Sequence, residues 1–181
     1  MHKRVFTNPK IKDKVTVLKT ADETNGDHIL VEVELAPGGG TPRHYHTTFD
    51  ETFIPVEGVL GVDVGKKQYR LQGADFAIAH CNQMHRFYNP GKTPIRFQVK
   101  IAPAESRFIE ALCIGYGLAD DDLTTNTGIP KKFDHLAVLM EYSDCRFTGV
   151  LKLIEPILLW RAKKARKKGV LEQLRQKYCF S

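Results

Sequence analysis

No stretch of this chain approaches the roughly 18 uninterrupted apolar residues that a bilayer span needs, so no transmembrane helix is expected. The first ten residues, MHKRVFTNPK, lack an apolar core segment, and a secretory signal is not expected there. Cysteine is sparse: Cys81, Cys113, Cys145 and Cys179 stand singly, with no C-x-x-C pair. That excludes a disulfide framework and suits free thiols in a cytoplasmic protein. Internal repeats and low-complexity tracts are absent. What is present is ordinary for a soluble globular chain, with 42% hydrophobic and 27% charged residues. At 181 residues it is long enough for one domain with appended elements.

The net charge of +6 is local rather than global. Between Arg161 and Lys177 eight Lys or Arg face only Glu172, a net +7, which leaves the remainder near −1. The main body is therefore close to neutral, and specific nucleic-acid binding is not expected.

From Val5 to Ala102 short β-type segments follow one another, broken by Gly, Pro, Asn and Asp. They are Val15–Thr20, His28–Leu35, Arg43–Thr47, Thr52–Val56, Leu60–Val64, Tyr69–Gln72, Phe76–Ala79, Met84–Asn89 and Ile95–Ile101. Period-2 alternation is plain in Ile29-Val31-Val33-Leu35 and in Ile95-Phe97-Val99-Ile101, each a half-buried strand. Asn25-Gly26-Asp27 and Gly65-Lys66-Lys67 read as hairpin turns, because Gly and Asn tolerate positive φ. Many short strands without intervening helices argue for an antiparallel sandwich or barrel.

After Pro103 the period changes. Ala104–Gly117 carries Phe108, Ile109, Leu112, Cys113 and Tyr116 on one helical face, and Gly117 with the acidic run after it is expected to end that helix. Phe133–Tyr142 reads as a second helix. Val150–Lys168 reads as a third, in which Pro156 either kinks the helix or marks its true first turn. Leu171, Leu174 and Tyr178 give a final amphipathic segment. The expected division is a β-barrel over 5–102 and a helical extension over 103–181 that packs on the barrel or on a partner subunit. With its apolar residues, Trp160 and basic cluster, the tail also fits an anionic membrane surface, but the packed reading is preferred, with its basic residues favourable near a helix C-terminus.

Chemistry concentrates in Gly38–Gly58, GGGTPRHYHTTFDETFIPVEG. Residues two apart on a strand share a face, so His44 and His46 aim alike and Tyr45 away. Glu51 opens an apolar run and is placed to return on the neighbouring strand of a hairpin. Two imidazoles and a carboxylate then converge, a donor set for a divalent metal. A fourth donor comes from among His2, His28, His80, His85 and His135, and His85 is favoured because it shares a strand face with Phe87 and Asn89.

At this point the chain resembles a cupin, a double-stranded β-helix of the jelly-roll kind. The first cupin motif is Gly, five residues, H-x-H, three or four residues, Glu, six residues, Gly; Gly38, His44, His46, Glu51 and Gly58 meet it in full. In the second motif Gly73, His85 and Asn89 match, while His80 and Asn82 stand where the family has Pro and Gly. Asn82 suits the same positive-φ turn. His80 in place of Pro puts a further imidazole near the barrel mouth. The resemblance covers about residues 5–102, and the helical third lies outside it.

The resemblance implies a metal on His44, His46, Glu51 and His85 inside the barrel. Three imidazoles and one carboxylate suit Fe, Mn, Ni, Zn, Co or Cu without choosing among them. Phe53 and Phe87, each two residues from a ligand, either line a pocket beside the metal or are simply core, with Gln83 as a polar contact. No Arg or Lys cluster accompanies the site, which argues against a sugar-nucleotide substrate. Cys81 is read as a small buried side chain rather than a reactive thiol. Two functions follow from the resemblance: a metal-dependent oxygenase or isomerase acting on a small molecule, in which Glu51 can serve as a base, or a non-catalytic small-molecule binding or sensing protein. A homodimer is the expected assembly.

Overall fold

The computed structural model describes residues 4–180; His2 lies outside the described residues. Ten strands occupy the first part of the chain: β1 (Val5–Asn8), β2 (Asp13–Lys19), β3 (Ile29–Leu35), β4 (His44–Tyr45), β5 (Asp50–Glu57), β6 (Leu60–Val64), β7 (Lys67–Leu71), β8 (Ala77–Ala79), β9 (His85–Tyr88) and β10 (Ile95–Ala102). A short β11 (Arg146–Phe147) arrives from the C-terminal part. All named pairings are antiparallel. One sheet has the order β1-β2-β3-β10-β5-β8 and the other β11-β4-β9-β6-β7.

The alternating segments explain the six-stranded sheet. Val31 lies opposite Val99 and Val33 opposite Phe97 on β3 and β10, and all four are buried on the inner face. β1 is a strand that the sequence pattern did not mark. It has only four residues, with Phe6 and Asn8 pointing inward.

The expected hairpin between His44–His46 and Glu51 does not form. β4 belongs to the five-stranded sheet and β5 to the six-stranded one, so Thr47–Phe49 carries the chain across from one sheet to the other. β8 and β9 are split between the sheets in the same way. The turn between them contains Asn82 at φ 65°, the left-handed conformation that Asn tolerates.

α1 (Phe108–Asp120) runs through Gly117 rather than ending there. Gly117 acts as a close-approach residue: a Cβ at that position would lie 2.3 Å from Cδ1 of Tyr178. Phe108, Leu112, Cys113 and Tyr116 of α1 join the barrel core, whereas Ala111, Ile114 and Leu118 face the other helices. α2 (Phe133–Tyr142) has the bounds that its period indicates. The third segment divides into α3 (Val150–Leu153) and α4 (Glu155–Lys167), with Pro156 in the first turn of α4, where its missing N–H is no loss. α5 (Val170–Tyr178) buries Leu171 and Leu174.

Half of the basic tail is answered within the chain. Arg161 pairs with Asp134, Arg166 with Glu141 at 2.8 Å, Arg175 with Glu110 at 2.8 Å and Lys177 with Asp121 at 2.5 Å. Four of the eight basic residues thus meet acids on or next to α1 and α2. Among the described residues no helix is long and apolar enough to cross a membrane.

Candidate metal centre

Cross-strand pairing brings the first two donors together: His44 on β4 lies directly opposite His85 on β9. Their ring centroids are 4.4 Å apart. His46 follows one residue beyond the end of β4, with its ring stacked on Phe49 at 4.3 Å. Glu51 reaches the group from the facing sheet, in register between Ile101 and Ala79. The four side chains are buried, and one ligand atom from each lies within 4.8 Å of all the others.

Each imidazole is oriented by a backbone carbonyl. Nδ1 of His44 lies 2.8 Å from the Pro42 carbonyl, Nδ1 of His46 3.1 Å from that of Asp144, and Nδ1 of His85 2.9 Å from that of Gln83. A carbonyl only accepts, so each Nδ1 carries the proton and each Nε2 offers a lone pair. Nε2 of His85 lies 3.0 Å from Oε2 of Glu51 but lacks the angle of a hydrogen bond, and this buried nitrogen is otherwise unpartnered. Outer hydrogen bonds of this type fix ligand imidazoles in metal sites.

Residues 31–101 match the family model for the cupin domain. The barrel is a cupin domain. Within the matched relatives, the tetracenomycin polyketide synthase protein TcmJ of Streptomyces glaucescens is 35% identical over 78 residues, covering 43% of this chain and 52% of that protein. The chain therefore spans about half the length of this curated relative. KdgF from Halomonas sp. superposes with a TM-score of 0.49 at 17% identity, covering 55% of this chain and 88% of that one. An uncharacterized conserved protein with a double-stranded β-helix domain from Klebsiella pneumoniae gives 0.44 at 25% identity, covering 50% and 76%.

The electrostatics of the cupin site favour the ligand-ready forms of His44, His46 and Glu51 and hold a proton on His85 that an ion would have to displace. Burial, followed by the neighbouring His85 and His46, pushes His44 down to about 3. Burial also moves His46 down. For Glu51 burial opposes the charge, but the His85 ring and the other imidazoles outweigh it and hold the carboxyl at about 2. Burial likewise opposes a charged His85, and Glu51 reverses the balance and moves it up. Three nitrogens and a carboxylate on one point fit a divalent transition ion.

The other expected site residues divide between cavity wall, core and surface. Phe53 is fully buried in the barrel core, its ring 6.0 Å from that of His85. Phe87 lines the cavity beside the centre. Gln83 is exposed, and its side-chain oxygen accepts from the His80 N–H at 3.0 Å; what it gives the centre is its backbone carbonyl. His80 is exposed and held on Asp50 at 2.7 Å, outside the ligand group. Partial burial and the Asp50 carboxylate push the Cys81 thiol up, the reverse of an activated thiolate. His28 sits beside Asp27 at 2.6 Å, and His135 belongs to α2.

The helical part builds what the cupin strands leave open. A cavity of about 170 Å³ between the sheets is lined by His44, His46 and Glu51 and is walled by Phe108, Leu112 and Tyr116 of α1. A second of about 200 Å³ adjoins it and shares both histidines and those three residues of α1. Asp144 clamps the motif loop: its carboxylate accepts from Thr47 N–H at 2.6 Å and Thr48 N–H at 2.9 Å, and from both hydroxyls. Sequence reasoning missed it because 96 or more residues separate the partners; the one local signal was a polar residue at a helix end.

Asp144→Ala removes four accepted hydrogen bonds from a buried carboxylate that sits at φ 50°. A loss of about 2–4 kcal/mol in urea unfolding is expected. Metal affinity, read by competition with a chromophoric chelator, is expected to fall about 10- to 100-fold as His46 loses its orientation. Unchanged affinity would show that the clamp does not orient the ligand.

Proposed function

We propose that the protein is a metal-dependent enzyme that binds a small, largely apolar molecule in the barrel, beside a divalent transition metal on His44, His46, Glu51 and His85. The observation that carries this reading is the orientation of the three imidazoles: every Nδ1 is committed to a carbonyl, Nε2 of His85 and of His46 lie 3.0 and 3.9 Å from the Glu51 carboxylate, and one ligand atom from each of the four residues lies within 4.8 Å of the others. A buried group of this kind without an ion leaves lone pairs desolvated and unpaired. When bound, the metal would supply a Lewis-acid or redox centre with positions left over for ligand.

The chain's own residues do the rest. Phe87, Phe108 and Leu112 exclude water and offer flat apolar contact next to His44 and His46. Glu51 is the only carboxylate among the four ligand-type residues, so it is the group there that supplies negative charge to a dication. The likeness to TcmJ, a polyketide synthase protein by name, together with these walls, supports a polyketide-type carbonyl compound as the ligand class.

Metal analysis of the purified chain tests the reading first. Close to one transition ion per chain is expected after saturation and desalting, and His85→Ala is expected to lose it. The metal-replete protein is then assayed for O2 uptake and for rearrangement of small aromatic ketones and polyketones. A chain that retains no ion sinks the metal reading. Tight binding of the ketones with no turnover would convert the enzyme into a binding protein.

A further inference from the structure

One buried carboxyl lines the same cavity and belongs to no metal ligand. Asp13, at the start of β2, is 4% exposed. Its Oδ2 accepts the Tyr116 hydroxyl of α1 at 2.6 Å. Its Oδ1 is buried with no hydrogen-bond partner. Asp13 and Tyr116 both line the cavity that His44, His46 and Glu51 line, among walls that are otherwise aliphatic and aromatic apart from Thr41. A native fold rarely leaves a buried carboxyl oxygen unpaired without a use for it.

We propose that Asp13, held by Tyr116, is a second polar subsite that donates a hydrogen bond to a carbonyl oxygen of an apolar ligand seated beside the His–Glu group. The inference deepens the proposed function, because it takes that cavity as the ligand site. The geometry assigns the roles. Tyr116 donates to Oδ2 and fixes the carboxyl, which leaves Oδ1 as the free oxygen. A carboxylic acid has one O–H to give, and with Oδ2 already accepting, Oδ1 is where an acceptor is wanted. Burial pushes Asp13 up to about 7, the Tyr116 bond offsetting only part of it, so the carboxyl is protonated in mildly acidic buffer. Asn8 of β1 and Leu35 of β3 lie opposite Asp13 in the sheet and bring no charge, while Lys12 and Lys14 flank it and are exposed. The ligand class is therefore an apolar ketone: apolar surface for the walls and a carbonyl for Asp13.

The test uses 1-tetralone and tetralin, which differ by the carbonyl, titrated calorimetrically into the metal-stripped full chain at pH 6. Wild-type protein is expected to bind tetralone about tenfold more tightly than tetralin, the worth of one buried hydrogen bond. Asp13→Leu is expected to bring the two within twofold of each other while tetralin affinity holds. Asp13→Asn, which keeps an N–H donor, is expected to retain most of the preference, as a purely structural role would not predict. In the wild-type protein the stretch of a 13C-labelled tetralone carbonyl is expected to fall below its value in alkane solvent, and this readout needs no variant to fold. Equal affinities, no binding of either probe, an unshifted stretch, or a preference that survives Asp13→Leu overturns the subsite. A preference seen only in metal-loaded protein also overturns it and leaves the metal reading standing, since the ion would then be holding the carbonyl.

Discussion

Glu51→Gln is expected to lower the affinity for a divalent transition metal by roughly two to three orders of magnitude while leaving the barrel folded. The substitution keeps the shape of the side chain and removes one negative charge from a buried site. In the wild type the carboxylate stands 3.0 Å from Nε2 of His85 and 3.9 Å from Nε2 of His46. Three neutral imidazoles alone would have to host a dication with no countercharge in a group that is less than a tenth exposed. Breaking one partner out of a buried charge pair costs about 3–5 kcal/mol, and each 1.4 kcal/mol is a factor of ten. Competition against a chelator of known affinity reads the change. Retained affinity would mean that the ion sits elsewhere or that Glu51 is not a ligand. A partial loss of tenfold or less would place Glu51 outside the coordination sphere, as an orienting neighbour of His85.

How much of this centre the sequence shows depends on where each part is encoded. His44, His46, Glu51 and Gly58 form a local motif, and the structure brings the four ligand-type residues together. The path is not local: the period-2 pattern gives strands but not which sheet each joins, so a hairpin is the natural reading of a four-residue gap between His46 and Glu51. The crossing at Thr47–Phe49 is held by Asp144, and no pattern within a strand can reveal a partner so far along the chain. Gly117 shows the same limit from the other side. Its helix-breaking tendency is about 1 kcal/mol, and the contact that makes glycine fit there comes from Tyr178 on α5. α1 was legible as an amphipathic helix. That its Phe108, Leu112 and Tyr116 would wall the cavity beside the His–Glu group was not, because an apolar stripe does not say which core it meets.

Asp13 should leave a separate mark on stability. Its carboxyl has an ordinary value of 3.8, pushed up to about 7 in the folded chain by burial, with Tyr116 and its own backbone as smaller opposing effects. The unfolded chain releases this proton near pH 4, while the folded chain keeps it until about pH 7. Between those values the unfolded state binds fewer protons, so the contribution of Asp13 makes stability fall as pH rises, and above about pH 7 the loss is complete. A displacement of that size is worth about 4 kcal/mol at pH 8. Asp13→Asn cannot ionise, and its amide oxygen still accepts the Tyr116 hydroxyl. The variant is therefore expected to gain on the wild type by about 3 kcal/mol between pH 4.5 and pH 8, the two compared by urea unfolding of metal-stripped protein at each pH. Taking the difference between the two proteins cancels every other titrating group, the histidines of the metal site included. A stability difference that is the same at both pH values would show that Asp13 ionises normally. The expected gain sets a stabilising replacement against a wild-type residue that weakens the fold at neutral pH, and a buried carboxyl kept under that penalty is better explained by a ligand's carbonyl than by the fold.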